Sequence, residues 1–302
     1  MNLPKKIDIV EVGPRDGFQS ISDWISTELK IKIIDNLIEA NFKKIEVTSF
    51  VSPKAIAQMK DAKEILSYLI NKYKKRDIVF NALVPNLFGA KVANEAGVDE
   101  ITYVISASAS HNMANVRRSR EDSFKELKEI KRLFPNLQIK FAIATVFGCP
   151  FDGEVDRKEV EWMIEKGLDI GVDEICLADT IGVANPKQMH SVITSLKSEF
   201  NEVDFGLHIH DTQGMGLANV ITAMQCGITR FESAVGGLGG CPFAPGAAGN
   251  IASEDLINMM HSMDVQTGID LQKVLDTAEV IKKDIKQVLT SHMAYVKKEC
   301  KV

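Results

Sequence analysis

Cysteine is sparse in this chain of 302 residues, and what there is forms no pattern. Cys149, Cys176, Cys226, Cys241 and Cys300 are odd in number, widely spaced and never arranged as Cys-x-x-Cys. That reads against a disulfide framework and for a reducing compartment. No stretch approaches the roughly 18 consecutive apolar residues of a membrane span. The N-terminus runs into a strand-like segment without an apolar signal region or an Arg/Ser-rich transit segment. A cytoplasmic protein with no membrane partner is the expectation. Positive charge is not in excess either. Lys and Arg number 36 against 41 Asp and Glu, a net charge of −5, and without a concentrated basic face no nucleic-acid partner is expected. The one basic cluster, residues 72–76, reads as a solvated helix end. Also missing are a Pro/Ser-rich linker, a low-complexity tract and a G-x-G-x-x-G after the first strand-like run. The first two absences leave a single domain over residues 1–302. The third counts against an open, doubly wound sheet.

What the chain does have is apolar material, 45% of its residues, set out in two rhythms. β-branched runs recur at 7–12, 44–49, 78–83, 100–106, 138–146, 174–178, 205–210 and 229–235. Most read as continuous apolar segments, as parallel strands buried on both faces do. Helical patterns lie between them. Asn185-Pro186 supplies an N-cap followed by proline at the first helical position. Ser253-Glu254-Asp255 places acids in a first turn. Gly97, Gly171 and Gly227 each close a helix just before a strand. The pattern predicts an α/β fold, a (β/α)8 TIM barrel of the usual size of about 250 residues. Residues 270–302 would form a C-terminal helical extension, capping the barrel or making a subunit contact.

In such a barrel the chemistry sits at the C-terminal strand ends and in the loops that follow. His208 and His210 lie at the end of the seventh strand. Alternate strand residues share a face, so both imidazoles point one way and Ile209 the other. Two imidazoles on one face are half a metal site. Asp16, after strand one, and Asn250, beyond strand eight, are the candidates for the rest. Two imidazoles, a carboxylate and an amide oxygen without thiolate suit a divalent cation, Mg2+ or Mn2+, with positions left for substrate oxygens, while Zn2+ stays open. The bland alternative is a pair of hydrogen-bonded core histidines. Arg15 is a permanent cation suited to a developing oxyanion, or else a structural ion-pair partner of Asp16 or Glu46. Glu46, Thr48 and Ser49 end strand two, and Asp179 and Thr180 follow strand six. The glycine-rich segment 236–250 reads as a flexible lid. Cys241 at its tip is either an acid/base group or merely exposed. A second Gly-Cys-Pro, at Gly148-Cys149-Pro150, follows strand five on the same face, whereas Cys176 and Cys226 read as packing.

These segments together resemble a known family. They are Val10-Glu11-Val12-Gly13-Pro14-Arg15-Asp16-Gly17-Phe18-Gln19, Glu46-Val47-Thr48-Ser49-Phe50-Val51-Ser52-Pro53, Asp179-Thr180-Ile181-Gly182-Val183, His208-Ile209-His210-Asp211-Thr212 and the loop 236–250. Over residues 9 to about 270 the chain is similar to 3-hydroxy-3-methylglutaryl-CoA lyase, within the wider group of metal-dependent DRE-type lyases and synthases. The resemblance implies that Asp16, His208, His210 and Asn250 hold the divalent metal. It implies that Arg15 steadies the enolate oxygen of the leaving thioester and that Cys241 is a lid cysteine acting in proton transfer. Glu46, Asp179 and His208 would serve the catalytic site, and Gln19, Ser49 and Thr180 would lie near substrate. The implied reaction is retro-Claisen cleavage of an acyl-CoA substrate, for the named one giving acetyl-CoA and acetoacetate, as in leucine degradation and ketone-body formation. A homodimer is the expected assembly.

One segment departs from the family pattern: 106–115, with Arg117 and Arg118. It follows strand four on the active face, so a citramalyl-type or longer-chain 3-hydroxyacyl-CoA stays open. Three rivals remain beside the lyase. An acyl-CoA-dependent condensing synthase usually carries a long C-terminal region, which this chain lacks. An aldolase on 4-hydroxy-2-oxoacids is the second. A non-haem iron oxygenase is the third, and its usual all-β scaffold does not match the β/α rhythm.

Overall fold

The structure of the protein, a computed structural model, describes residues 3–75, 77–240 and 249–296. Eight parallel strands close into a barrel in chain order: β1 (Asp8–Glu11), β2 (Lys44–Ser49), β3 (Val79–Leu83), β4 (Glu100–Ser106), β5 (Gln138–Ala144), β6 (Glu174–Asp179), β7 (Phe205–Ile209) and β8 (Arg230–Ser233). Closure is made by β1 on β8, with Asp8 beside Arg230 and Glu11 beside Ser233. Between the strands run α1 (Thr27–Glu39), α2 (Ala62–Lys72), α3 (Leu87–Glu95), α4 (Ala109–Val116), α5 (Arg120–Leu133), α6 (Arg157–Ile170), α7 (Pro186–Glu199) and α8 (Gly216–Gln225), followed by α9 (Ser253–Ser262) and α10 (Leu271–Val280). The helix boundaries follow from local chemistry. Ser26, Ser119, Asp156 and Asn185 each accept a first-turn N–H at the start of a helix. Gly97, Gly171 and Gly227 take φ of +80°, +80° and +86°, the left-handed turn that lets a helix end and a strand begin.

The strands alternate, and this corrects the expectation of continuous apolar runs. Ile45, Ile101, Tyr103, Ile139, Phe141, Ile175, Leu177, Phe205, Leu207 and Phe231 are buried in the apolar core shared with the helices. Phe141, for example, lies close against Gly167 of α6 and stacks edge-on with Phe124 of α5. The residues between them face into the barrel and are mostly polar. Their lowest tier comes from alternate strands, as barrel layers do. Lys44 of β2 bonds Glu100 of β4 and Glu174 of β6 at 2.7 Å each, and Arg230 of β8 meets Glu174 at 3.3 Å. A narrow barrel interior can be filled by ion pairs because its few side chains satisfy one another, while the apolar faces are all taken by helices.

After Asp270 the chain is helical only in part. Helix α10 packs on α1 and α9 and ends in a single π turn, Ile281–Ile285. Residues 287–292 then return as a strap over the loop that leaves β8. Thr290 N–H donates to the Gly236 carbonyl at 3.0 Å, and Asp255 of α9 accepts from Ser291 Oγ, His292 N–H and Met293 N–H. Among the described residues no helix is long and apolar enough to cross a membrane.

Candidate metal-binding and catalytic site

The chain leaves β1 through one π turn, Gly13–Gly17, an irregularity often found at functional positions. Both flanking glycines are required by close approach. A Cβ on Gly13 would come within 2.6 Å of Glu11 Oε1, and one on Gly17 within 2.7 Å of Leu238. The turn is pinned from below by Glu11. Its carboxylate accepts from Gly13 N–H at 2.8 Å, Val235 N–H at 2.9 Å and Ser253 Oγ at 2.6 Å. The pinned turn points Arg15 and Asp16 inward, and both are buried.

Arg15 is held on two sides. Its Nε donates to Glu46 Oε2 at 2.5 Å and its Nη1 to Asp16 Oδ1 at 2.5 Å. Burial opposes its charge, but Asp16 and Glu46 outweigh burial and hold the guanidinium firmly protonated. Both ion pairs expected as the structural alternative are therefore present, and they aim the cation into the barrel mouth. Burial likewise opposes ionisation of Asp16, and Arg15, His208, His210 and Asn250 together keep its carboxyl below the usual range.

His208 and His210 face the same point, with their Nε2 atoms 3.0 Å apart. Glu232 of β8 takes the other nitrogen of His208, Nδ1, at 2.8 Å. Burial pushes His208 down, and Glu232 more than reverses it; burial and the neighbouring His208 push His210 down to about 4. One oxygen of Asp16 and one nitrogen of each imidazole lie within 4.8 Å of one another. Asn250 reaches this cluster because residues 249–252 zip between the ends of β7 and β8. His210 and Asn250 form an antiparallel bridge, and Asp211 N–H donates to Gly249 O. Asn250 presents its nitrogen to Asp16 Oδ2, at 2.6 Å. Its Oδ1 is buried and makes no hydrogen bond among the described residues.

This donor set fits a cation. Two imidazole nitrogens facing each other at hydrogen-bond distance need either a proton or a metal between them, and Glu232 orients His208 as outer carboxylates orient metal-binding histidines. The fixed charges agree. With the imidazoles neutral, as metal ligands are, Arg15 and Lys140 are two cations set against the three carboxylates Asp16, Glu46 and Glu232, which leaves one net negative charge at the mouth. For Asn250 to offer oxygen its amide has to turn over, which exchanges two ends of nearly equal shape.

The other sequence candidates are placed as follows. Gln19 is half-buried and its Nε2 donates to Asp16 Oδ1 at 2.8 Å. Glu46 Oε1 is buried without a hydrogen bond among the described residues. Asp179, at the end of β6, accepts from Val183 and Ala184 N–H at 3.1 Å each, and burial pushes its carboxyl up to about 6. Thr180 Oγ1 accepts from Thr145 N–H at 2.8 Å. Ser49 is fully buried and donates to the Leu83 carbonyl at 3.0 Å. Cys241 lies outside the described residues. Two residues escaped the sequence reading: Glu232, which holds His208, and Lys140, which contacts Glu232 Oε1. Their signal was the alternation in Gln138-Ile139-Lys140-Phe141 and Arg230-Phe231-Glu232-Ser233, which turns Lys140 away from Ile139 and Phe141 and Glu232 away from Phe231.

Fold and site together define a (β/α)8 enzyme with a cluster able to hold a metal ion at the C-terminal mouth of its barrel. The chain belongs to the HMGL-like family, whose model matches residues 6–281. It is 41% identical over 293 residues to the hydroxymethylglutaryl-CoA lyase YngG of Bacillus subtilis, covering 96% of this chain and 97% of that one. A lyase of Pseudomonas aeruginosa named for both 3-hydroxy-3-isohexenylglutaryl-CoA and hydroxymethylglutaryl-CoA is 38% identical, over 93% of each chain. Among solved structures, an HMG-CoA lyase of Acinetobacter baumannii in complex with coenzyme A and 3-methylmalate superposes with a TM-score of 0.93. It is 39% identical, covering 99% of this chain and 97% of that one.

Proposed function

We propose that this protein is a carbon–carbon lyase that cleaves 3-hydroxy-3-methylglutaryl-CoA to acetyl-CoA and acetoacetate. The observation that carries the reading is the meeting of Arg15, Asp16 and Glu46 with His208 and His210 at one point of the barrel mouth, in a chain similar over its whole length to lyases of that name. Asp16, His208 and His210, with Asn250 beside them, would hold the divalent cation, Mg2+ or Mn2+. Bound there, such an ion would supply Lewis-acid polarisation of substrate oxygens, which lowers the pKa of a hydroxyl.

The chain's own residues supply the rest. Arg15, fixed by two carboxylates, presents a charge that cannot be lost where the thioester enolate forms. Glu46, which holds Arg15 through Oε2 and turns its buried Oε1 towards Lys140, would support the site and help move protons there. Asp179, with its carboxyl pushed up to about 6, can exchange a proton near neutral pH. Gln19 steadies Asp16 at the substrate side. Ser49 acts by shaping the wall, since its buried hydroxyl donates to a backbone carbonyl, whereas Thr180 Oγ1 accepts Thr145 N–H and keeps its proton to offer to a substrate oxygen.

The enzyme would work in the cytoplasm as a homodimer. The scattered cysteines, of which Cys149, Cys176 and Cys226 are free, support the reducing setting. The test is to incubate the purified protein with 3-hydroxy-3-methylglutaryl-CoA, with and without Mg2+ or Mn2+, and to follow acetoacetate. Release that depends on the ion is expected. Acetyl-CoA consumed with a 2-oxoacid, and no cleavage, would instead mark a synthase.

A further inference from the structure

We infer that Lys140 is a positioning residue that holds both working arms of the site, Arg15 and His208, from inside the barrel just below its mouth. The inference rests on the reading of those two residues as working groups. Lys140 stands on the inner face of β5 and is 1% exposed. Its ammonium contacts Glu232 Oε1 and lies 3.9 Å from Glu46 Oε1. Each carboxylate divides its two oxygens in the same way. Glu232 gives one to Lys140 and the other to His208 Nδ1 at 2.8 Å. Glu46 turns one towards Lys140 and gives the other to Arg15 Nε at 2.5 Å. One ammonium on β5 thus ties β2 and β8, and through them the turn after β1 and the end of β7. The chain of contacts runs Asp16, Arg15, Glu46, Lys140, Glu232, His208, His210 without leaving the barrel interior.

The physical need for a cation at this point is plain. Glu46 and Glu232 are both buried and both turned to the same space, and without positive charge between them they repel and turn away from the groups they orient. Burial pulls the Lys140 ammonium towards neutrality, but Glu232 and Glu46 hold it protonated. A lysine point charge on a flexible stem serves two carboxylates at unequal distances better than a planar guanidinium. Lys140 touches no substrate in this account. It acts by keeping His208 Nε2 aimed at Asp16 and His210, and Arg15 aimed at the mouth.

The test uses the full chain with Lys140→Met, which keeps length and removes charge. Mn2+ affinity is read directly by electron paramagnetic resonance, and kcat and KM are read on 3-hydroxy-3-methylglutaryl-CoA. Lys140→Met is expected to weaken Mn2+ binding by about 10- to 100-fold, as loss of an outer partner of a metal ligand does. It is also expected to lower kcat at least tenfold with a smaller change in KM. Lys140→Arg, which restores the charge, should recover much of the Mn2+ affinity. A merely structural lysine would lower the melting temperature and leave Mn2+ affinity unchanged well below it, and that result would overturn the inference. Should Lys140→Met not fold, the double variant Lys140→Met with Glu232→Gln removes the stranded buried charge; parental Mn2+ affinity there would equally overturn it. If the parent cleaves no acyl-CoA, the proposed function fails, but the Mn2+ comparison still decides the role of Lys140.

Discussion

Arg15 shows how one residue serves structure and chemistry at once. Its two ion pairs are short and buried, so they could have been only a clip between the turn after β1 and the end of β2. They also leave a permanent charge at the mouth beside the cluster that fits a cation, and in the proposed reaction that charge would stabilise the enolate as it forms. Arg15→Gln is therefore expected to lower kcat by about 10³-fold, as loss of an oxyanion donor does, with a smaller effect on KM. Steady-state kinetics checks this, and a normal kcat with a raised KM would reduce Arg15 to a substrate-binding group. At this scale Arg15, Asp16, His208 and His210 were legible in the sequence, because residue type and position at a strand end suffice to nominate them. Lys140 and Glu232 were not. A charged residue inside a strand reads as an edge or a solvated face until the barrel closes around it.

Among the elements, the exit from β8 is held most heavily. Both oxygens of Glu254 accept from Gly236 N–H, at 2.8 and 2.9 Å, and Glu11 holds Val235 N–H just before it. Burial pushes Glu254 up to about 8 and Glu11 up to about 7, from an ordinary 4.5. Between about pH 4.5 and 8 the folded chain keeps protons that the unfolded chain has released. Their contribution to stability is therefore greatest at the acid end of that window and is lost as pH rises through it. Glu254→Gln, which cannot ionise, should flatten that decline, most of all around pH 6, midway between the unfolded and folded values. Urea midpoints at pH 5, 6.5 and 8 measure it, and an unchanged slope would show that Glu254 stays ionised throughout. The strap 287–292 closes over the same exit. Asp255 accepts three hydrogen bonds from it, those of Ser291 Oγ, His292 N–H and His292 Nδ1, and a fourth from Met293 N–H just beyond. Asp255→Ala should cost about 2–4 kcal/mol and expose the strap to limited proteolysis. An undiminished urea midpoint would count against the anchor. The acids that open α9 were visible in the sequence as helix-start signals. Their work on a loop and on a strap thirty-odd residues away was not, because helix chemistry is local and these partners are not.

The whole barrel is divided into tiers with different duties. The lower tier, Lys44 with Glu100, Glu174 and Arg230, lies at the N-terminal end of the strands, and the upper tier, Glu46, Lys140 and Glu232, feeds the mouth. Lys44→Met would leave the buried Glu100 without its cation and Glu174 with Arg230 alone, and should destabilise by about 2–4 kcal/mol, while kcat of the folded protein changes little. Urea unfolding and kinetics on the same sample test this; a fall in kcat as deep as that of Arg15→Gln would join the two tiers into one. The order and number of strands, the cap at Asn185, the helix-ending glycines and the face on which the chemistry lies were legible in the sequence alone, whereas helix α4, in the divergent segment after β4, was not. Hydrophobic periodicity, caps and turn glycines are local and strong, and eight repeats of them close in essentially one way. The continuous apolar strands expected from the sequence did not hold, since the inner face is charged. Only the tertiary structure decided which charges meet: that Asn250 comes beside Asp16 with its nitrogen forward, and that Glu232 takes His208. It likewise decided that Lys140, on β5, reaches across the ring to two carboxylates on the strands that flank β1. Those pairings are set by barrel closure and register, which bring residues as far apart in the chain as Asp16 and Asn250 to hydrogen-bond distance.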